Sequence, residues 1–326
     1  MNNRINFKIF SIFLILILLS CSKKGKNEVI STEEIPVKTI IERFDQQFYT
    51  TPPEKLADLK KDFPYLFPEP NPDSVWVNKM KNKDEQELFA ETQKLYTDFN
   101  SEEEQLTSLF KHIKYYYPKF KEPKVITILT NVDYNNKVVL ADSLLFISLD
   151  VFLGKDNEVY QDFPEYIKRN YTKEHMMVSV AEQFTELFLP PNNDKSFIAR
   201  IIQEGKKLQI MQSFLPQVSA NEIIGYEPEH MVWANESEED IWKYFVENLI
   251  FYSTDPQLTS RFIEDAPFSK FYLEFDKNSP GKIGSWFGWQ IVQSYLKNNE
   301  VTLQQMLVTD NEEIFKKSKY KPKKKS

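Results

Sequence analysis

Glycine is scarce, with 7 residues in 326, about 2% against a usual share near ~7%. Neither G-x-G-x-x-G nor G-x-x-x-x-G-K-[ST] occurs, so the glycine loops that cradle phosphates are excluded. Cysteine is scarcer still. Cys21 stands alone, which rules out internal disulfides and CxxC metal knuckles and leaves packing to hold the fold together. The three histidines, His112, His175 and His230, include no pair at i, i+4, so a histidine zinc site or a Ser-His-Asp arrangement has little to draw on. His112 reads as a surface or partly packed helical residue, His175 as the lead-in to an apolar run, and His230 as a loop residue. No apolar run reaches the ~20 residues that cross a bilayer; the longest, Ile9 to Leu19, is broken by Ser11. What is present is globular: 41% hydrophobic, 14% aromatic and 27% charged residues exclude bulk disorder.

The first twenty residues place Arg4 and Lys8 ahead of that short apolar run, the build of an export signal. Leu18-Leu19-Ser20-Cys21 then reads as a bacterial lipobox, with Cys21 acylated after cleavage, as with palmitate. Two or more acyl chains hold a protein on a membrane almost permanently, at ~0.8 kcal/mol per buried methylene. Residues 21–35 read as a tether, 36–315 as one domain and 316–326 as a basic disordered tail. No Asp follows Cys21, which favours the outer membrane, facing the periplasm. Setting aside Arg4, Lys8 and the seven lysines from Lys316 onward leaves 32 basic against 48 acidic residues, a net −16. Such a body does not favour nucleic acid.

Apolar spacing predicts helices over Val37–Tyr49, Asp84–Phe99, Glu102–Tyr116 (opened by a Ser101/Glu104 capping box), Lys173–Phe188, Ser196–Phe214, Glu238–Tyr252 behind Ser237, Ile283–Lys297 and Asn311–Lys317 behind Asp310. Prolines over 63–72 argue against regular structure there. Lys124–Thr130 and Val138–Val151 carry strand character, separated by a turn at Asp133–Asn136. A small sheet in the first half, followed by helices, is an α+β arrangement.

One constellation could bear chemistry. Glu182 and Glu186 lie four apart on a predicted helix, and Glu204 precedes Gly205 on the next. The bland reading is two carboxylates facing water; the sharper one is an altered metal site. Gly284 and Gly288, beside Trp286 and Trp289, can share a helical stripe where a neighbour crosses, and with Gly205 and Trp286 they read as scaffold. The run Tyr115-Tyr116-Tyr117 is a weaker candidate surface for glycan or peptide, its alternative being the packed end of an amphipathic helix.

The lipobox, Phe44 to Phe48, Phe152-Leu153-Gly154, the segment Glu182 to Glu186, Ile202-Gln203-Glu204-Gly205-Lys206 and Gly281-Lys282-Ile283-Gly284-Ser285-Trp286-Phe287-Gly288-Trp289 resemble the gliding-motility lipoprotein family GldB of Bacteroidetes. That family in turn looks similar to zincin peptidases with their H-E-x-x-H helix. The resemblance implies a zincin-like architecture in which the two ligand histidines fall on Glu182 and Glu186, the general base on Gln183 and the third ligand on Glu204. An amide at Gln183 cannot take a proton from bound water, and zinc prefers imidazole or thiolate at such positions. The resemblance therefore implies a non-catalytic envelope component that positions other gliding-machinery proteins, with no cofactor. The alternative is a metal-dependent hydrolase in which three carboxylates hold a hard divalent cation such as Ca²⁺.

Overall fold

The computed structural model describes residues 31–274 and 276–324; the leader and Cys21 lie outside them. The first expected helix is half strand. Val37, Thr39, Ile40 and Ile41 are all β-branched and stiff at χ1, and the Ile40 carbonyl accepts from the Val125 amide at 2.9 Å. Strand β1 (Ile41–Glu42) pairs parallel with a second strand there, so helix α1 begins only at Phe44 and ends at Thr50. Between the proline clusters a short helix, Leu56–Asp62, forms unannounced, and another, Asp73–Lys81, starts directly after Pro72. Around them Phe44 meets Phe63 at 5.0 Å and Phe67 meets Trp76 at 4.9 Å between ring centroids, so rings rather than backbone ladders hold this sector.

Helix α2 (Lys83–Leu95) is capped by the Asn82 side chain. Helix α3 (Asn100–Tyr116) starts earlier than expected, and the Ser101/Glu104 box does not form; Asp98 accepts from the Asn100 amide instead, leaving Ser101 inside the first turn. Strands β2 (Lys124–Ile128), β3 (Val138–Ala141) and β4 (Leu144–Ser148) complete a sheet of order β1-β2-β4-β3. β4 runs parallel to β2, in register Val125 to Leu145. β3 folds back antiparallel on β4 through Asp142 at φ 51° and forms the sheet's outer edge.

The second half is helical: α4 (Met176–Thr185), α5 (Phe197–Phe214), α6 (Pro228–Glu236), α7 (Glu238–Glu247), α8 (Ile283–Asn298) and α9 (Asn311–Ser318). Ser196 and Asp310 cap α5 and α9 as their sequences direct, whereas Ser237 makes no capping bond. α7 stops short of Tyr252, the chain turning through Leu249 at φ 54°. α5 and α8 are the central pair, with α9 packed on both. Their backbones touch: a Cβ on Gly288 would fall on the Ile201 carbonyl, and one on Gly205 on Gly288 itself. Trp286 and Trp289 bury completely beside this crossing.

The basic end is ordered further than its composition suggests. Lys316 and Lys317 belong to α9 and pair with Glu312 and Glu313. Tyr320 packs on Phe287 and Trp242 and donates to Glu238. Apolar and aromatic contacts thus outweigh the repulsion between lysines as far as Tyr320. Among the described residues no helix is long and apolar enough to cross a membrane.

Candidate functional site

The carboxylates singled out in the sequence fall on α4, α5 and the turn between them. α4 is apolar on nearly every side because it packs under the sheet edge and against α5. Glu182 and Gln183 are the polar interruption in its last turn. The helix ends at Thr185, whose hydroxyl donates back to the Glu182 carbonyl at 2.7 Å, so Glu186 lies past the last turn and faces solvent. On α5, Glu204 and Lys207 are three apart and share a face. Lys207 Nζ reaches Glu182 Oε1 at 2.6 Å.

That ion pair is the centre of a half-buried polar recess. Burial alone would raise the Glu182 carboxyl, but the ammonium groups of Lys207, Lys282 and Lys137 override it and hold its pKa down at about 2. Glu204 is different: burial dominates and, with Glu182 and Glu186 adding repulsion, its pKa rises. Burial disfavours the Lys207 charge, yet Glu182 and Glu204 more than restore it. At the rim Lys282 Nζ holds Asp265 at 2.8 Å, and Arg169 reaches the same carboxylate at 3.4 Å. His175 lies buried with Nδ1 2.7 Å from Glu222; burial lowers its pKa, against the pull of that carboxylate. Lys137, one residue before β3, is desolvated enough for its pKa to fall. The carboxylates of Glu182 and Asp265 attract its charge against that burial.

A metal does not fit this donor set. Among the described residues no three carboxylate, histidine or cysteine side chains come together as a metal-holding group. Glu182 has already been taken by a protein ammonium, which occupies its lone pairs with protons in place of a cation. Glu186 is exposed, and although Glu182, Glu186 and Glu204 lie near enough to repel one another they do not form a metal-holding group. The side chains that define the recess, Lys137, Lys207, Lys282 and Asp265, were not singled out by sequence, since no spacing rule links positions that far apart.

The family model described as gliding motility protein GldB matches residues 24–322, nearly the whole chain. The chain belongs to the GldB family of gliding motility proteins. No curated protein and no solved structure matches it. In this member of the GldB family the remaining two histidines lie on helices α3 and α6. His112 is buried with Nδ1 2.8 Å from the Ser108 carbonyl. His230 lies in helix α6 rather than a loop, because Pro228 at the first helical position starts the helix. Of the tyrosine run, Tyr115 is exposed, while Tyr117 stacks on Phe188 at 3.7 Å and lines a cavity of about 340 Å³ with Phe120, Leu140, Phe184 and Leu187.

Proposed function

We propose that this GldB-family chain is a non-catalytic, envelope-anchored lipoprotein that holds or positions other components of the gliding machinery. The observation that carries the reading is the Lys207–Glu182 pair at 2.6 Å. It fills with an internal counter-ion the place where a hydrolase would need a free ligand, and the neighbouring Gln183 has no basic lone pair to activate water. In the same reading α4 and α5 are the counterparts of a peptidase active helix and its glutamate helix, retained as scaffold without the chemistry. The hydrolase alternative lacks a ligand group among the described residues.

Cys21 carries the acyl chains in this reading, on the outer membrane and facing the periplasm. Two measurements test it. A strain lacking the gene, or carrying Cys21→Ala, should lose gliding, and labelled palmitate should enter the wild-type chain but not Cys21→Ala. Normal gliding in the deletion strain would remove the role, and turnover that depends on Glu182 would restore the hydrolase.

A further inference from the structure

The parallel pairing of β1 and β4 with β2 puts the starts of all three strands at one end of the sheet, and two features meet there. The first is the root of the tether. The Pro36 carbonyl accepts from Lys114 Nζ at 2.9 Å, and the Lys38 amide donates to Glu122 at 3.0 Å, so the segment leading back to Cys21 joins the sheet beside Glu122. Pro36 lies fifteen residues after Cys21, at most about 50 Å of chain at ~3.5 Å each. The second is the cavity of about 340 Å³ beside Tyr117. Lys121 and Pro123, the neighbours of Glu122 in the chain, line it, so tether root and cavity share that end.

The lining of the cavity is amphipathic. Phe120, Leu140, Phe184 and Phe188 are its apolar part, and Leu187 beside them is 59% exposed. Its charged residues are Lys119, Lys121 and Asp142, a net +1. Both lysines are exposed and neither has an ion pair among the described residues, whereas Lys114 and Lys124 nearby are held by Glu122 and Glu42. Lys38 adds an exposed cation at the tether root. Because the body carries a net −16, an anionic surface repels it in general and is met best where cations outnumber carboxylates. We propose that this end of the sheet docks on the lipid bilayer to which the tether leads, with a phospholipid acyl chain entering the cavity past Leu187 and the lipid phosphate on Lys119 and Lys121. A phospholipid fits better than the protein's own anchor, because an acyl chain on Cys21 brings no anion for the lysines. It fits better than a partner protein, because the tether delivers this end to a membrane. The inference deepens the anchored role proposed above and rests on it for what brings the chain to a bilayer.

The test uses the chain from Ser22 onward, which lacks only the leader and the acylated cysteine, and vesicles of equal parts phosphatidylglycerol and phosphatidylcholine. Cosedimentation should show it binding these about tenfold or more tighter than pure phosphatidylcholine. Lys119→Glu with Lys121→Glu should erase that preference, and Leu187→Asp should weaken binding to both vesicles. Thermal melts should stay level in these variants, since all three side chains are exposed. In Leu187→Trp, vesicles with brominated acyl chains should quench the fluorescence more than they quench the wild type. Binding to neither vesicle, equal binding to both, or a preference that survives the lysine reversals would overturn the proposal. So would binding that is lost on truncation after Tyr320 and unaffected by the reversals, which would assign it to the lysine tail. Quenching of Leu187→Trp that disappears in the acylated chain would give the cavity to the protein's own anchor and also overturn it. Vesicle binding by the unacylated chain does not depend on Cys21. If palmitate enters Cys21 and the vesicles do not bind, the anchor stands and only the docking end falls; if no palmitate enters, the anchor falls while the vesicle result stands.

Discussion

Lys206 and Lys207 are neighbours on α5 with opposite fates. Lys206 turns inward, 4% exposed, and gives its protons to the carbonyls of Leu307 at 3.1 Å and Thr309 at 2.6 Å. Lys207 turns to the recess and binds a carboxylate. The first ammonium is held by carbonyl dipoles with only Asp310 as an attracting charge, so burial drags its pKa to about 8; the second is bound to a carboxylate and flanked by others, so its pKa rises despite burial. One helix therefore carries a packing face, locked to α8 through Gly205, and a charged face turned to Glu182 on α4. A buried charge is tolerated on either face only because its partner differs in kind.

The largest expected effect attacks the packing face. Gly288→Leu drives a side chain into the Ile201 backbone, which cannot move aside as a side chain would. The loss should exceed about 3 kcal/mol, at or above the usual ceiling for overpacking. A melting temperature unchanged by this substitution would show that α5 and α8 do not meet as described.

Lys206→Ala comes next, at about 3 kcal/mol at neutral pH, since it strands two buried carbonyls at ~1–3 kcal/mol each. The pH dependence sharpens this. Folded Lys206 releases its proton near pH 8 whereas the unfolded chain keeps it to about 10.5, so stability rises with pH across that window. Thermal melts should show the wild type gaining on Lys206→Ala from about pH 8 to 10.5; a constant gap would mean that Lys206 is not desolvated.

Smaller effects of opposite sign are expected from the charged face. The folded pKa of Glu182 is depressed, so its stabilisation is present above about 4.5 and lost as the pH falls through about 2. Glu182→Gln should lower the melting temperature at pH 7 and approach the wild type in acid. Glu204 has a raised pKa, so its charge opposes folding increasingly as pH rises above 4.5, and Glu204→Gln should gain on the wild type over the same rise. Parallel pH profiles for the two variants would erase the distinction between a paired and an unpaired carboxylate. At the bottom of the scale, Lys316→Ala removes one exposed i, i+4 ion pair on α9 and should leave thermal melts unchanged.

The sequence made the long helices legible where one apolar stripe and a good cap coincide. α5 behind Ser196 and α9 behind Asp310 are such cases. It misled at Val37–Ile41, where β-branched residues with helical spacing were claimed by the sheet, and at Glu186, where the helix ended a turn early. Short helices such as Asp73–Lys81 and α6 went unseen because their starts lie at or just after prolines that also mark loops. Of the recess, Glu182 and Glu204 could be named from spacing, but their counter-ions could not. Lys207 is adjacent to Glu204 on α5, yet nothing local says that it will reach across to α4.

By itself, therefore, the sequence determined what depends on neighbours within a few residues: the helical second half, the α+β class, the exclusion of nucleotide loops and disulfides, and family membership carried by short motifs. Tertiary structure alone decided which charges meet. The Lys207–Glu182 pair and the contact of Gly205 with Gly288 join residues 25 and 83 positions apart. Coulomb attraction, desolvation and steric exclusion act through space within a few ångströms, while sequence spacing fixes distance only along a single element.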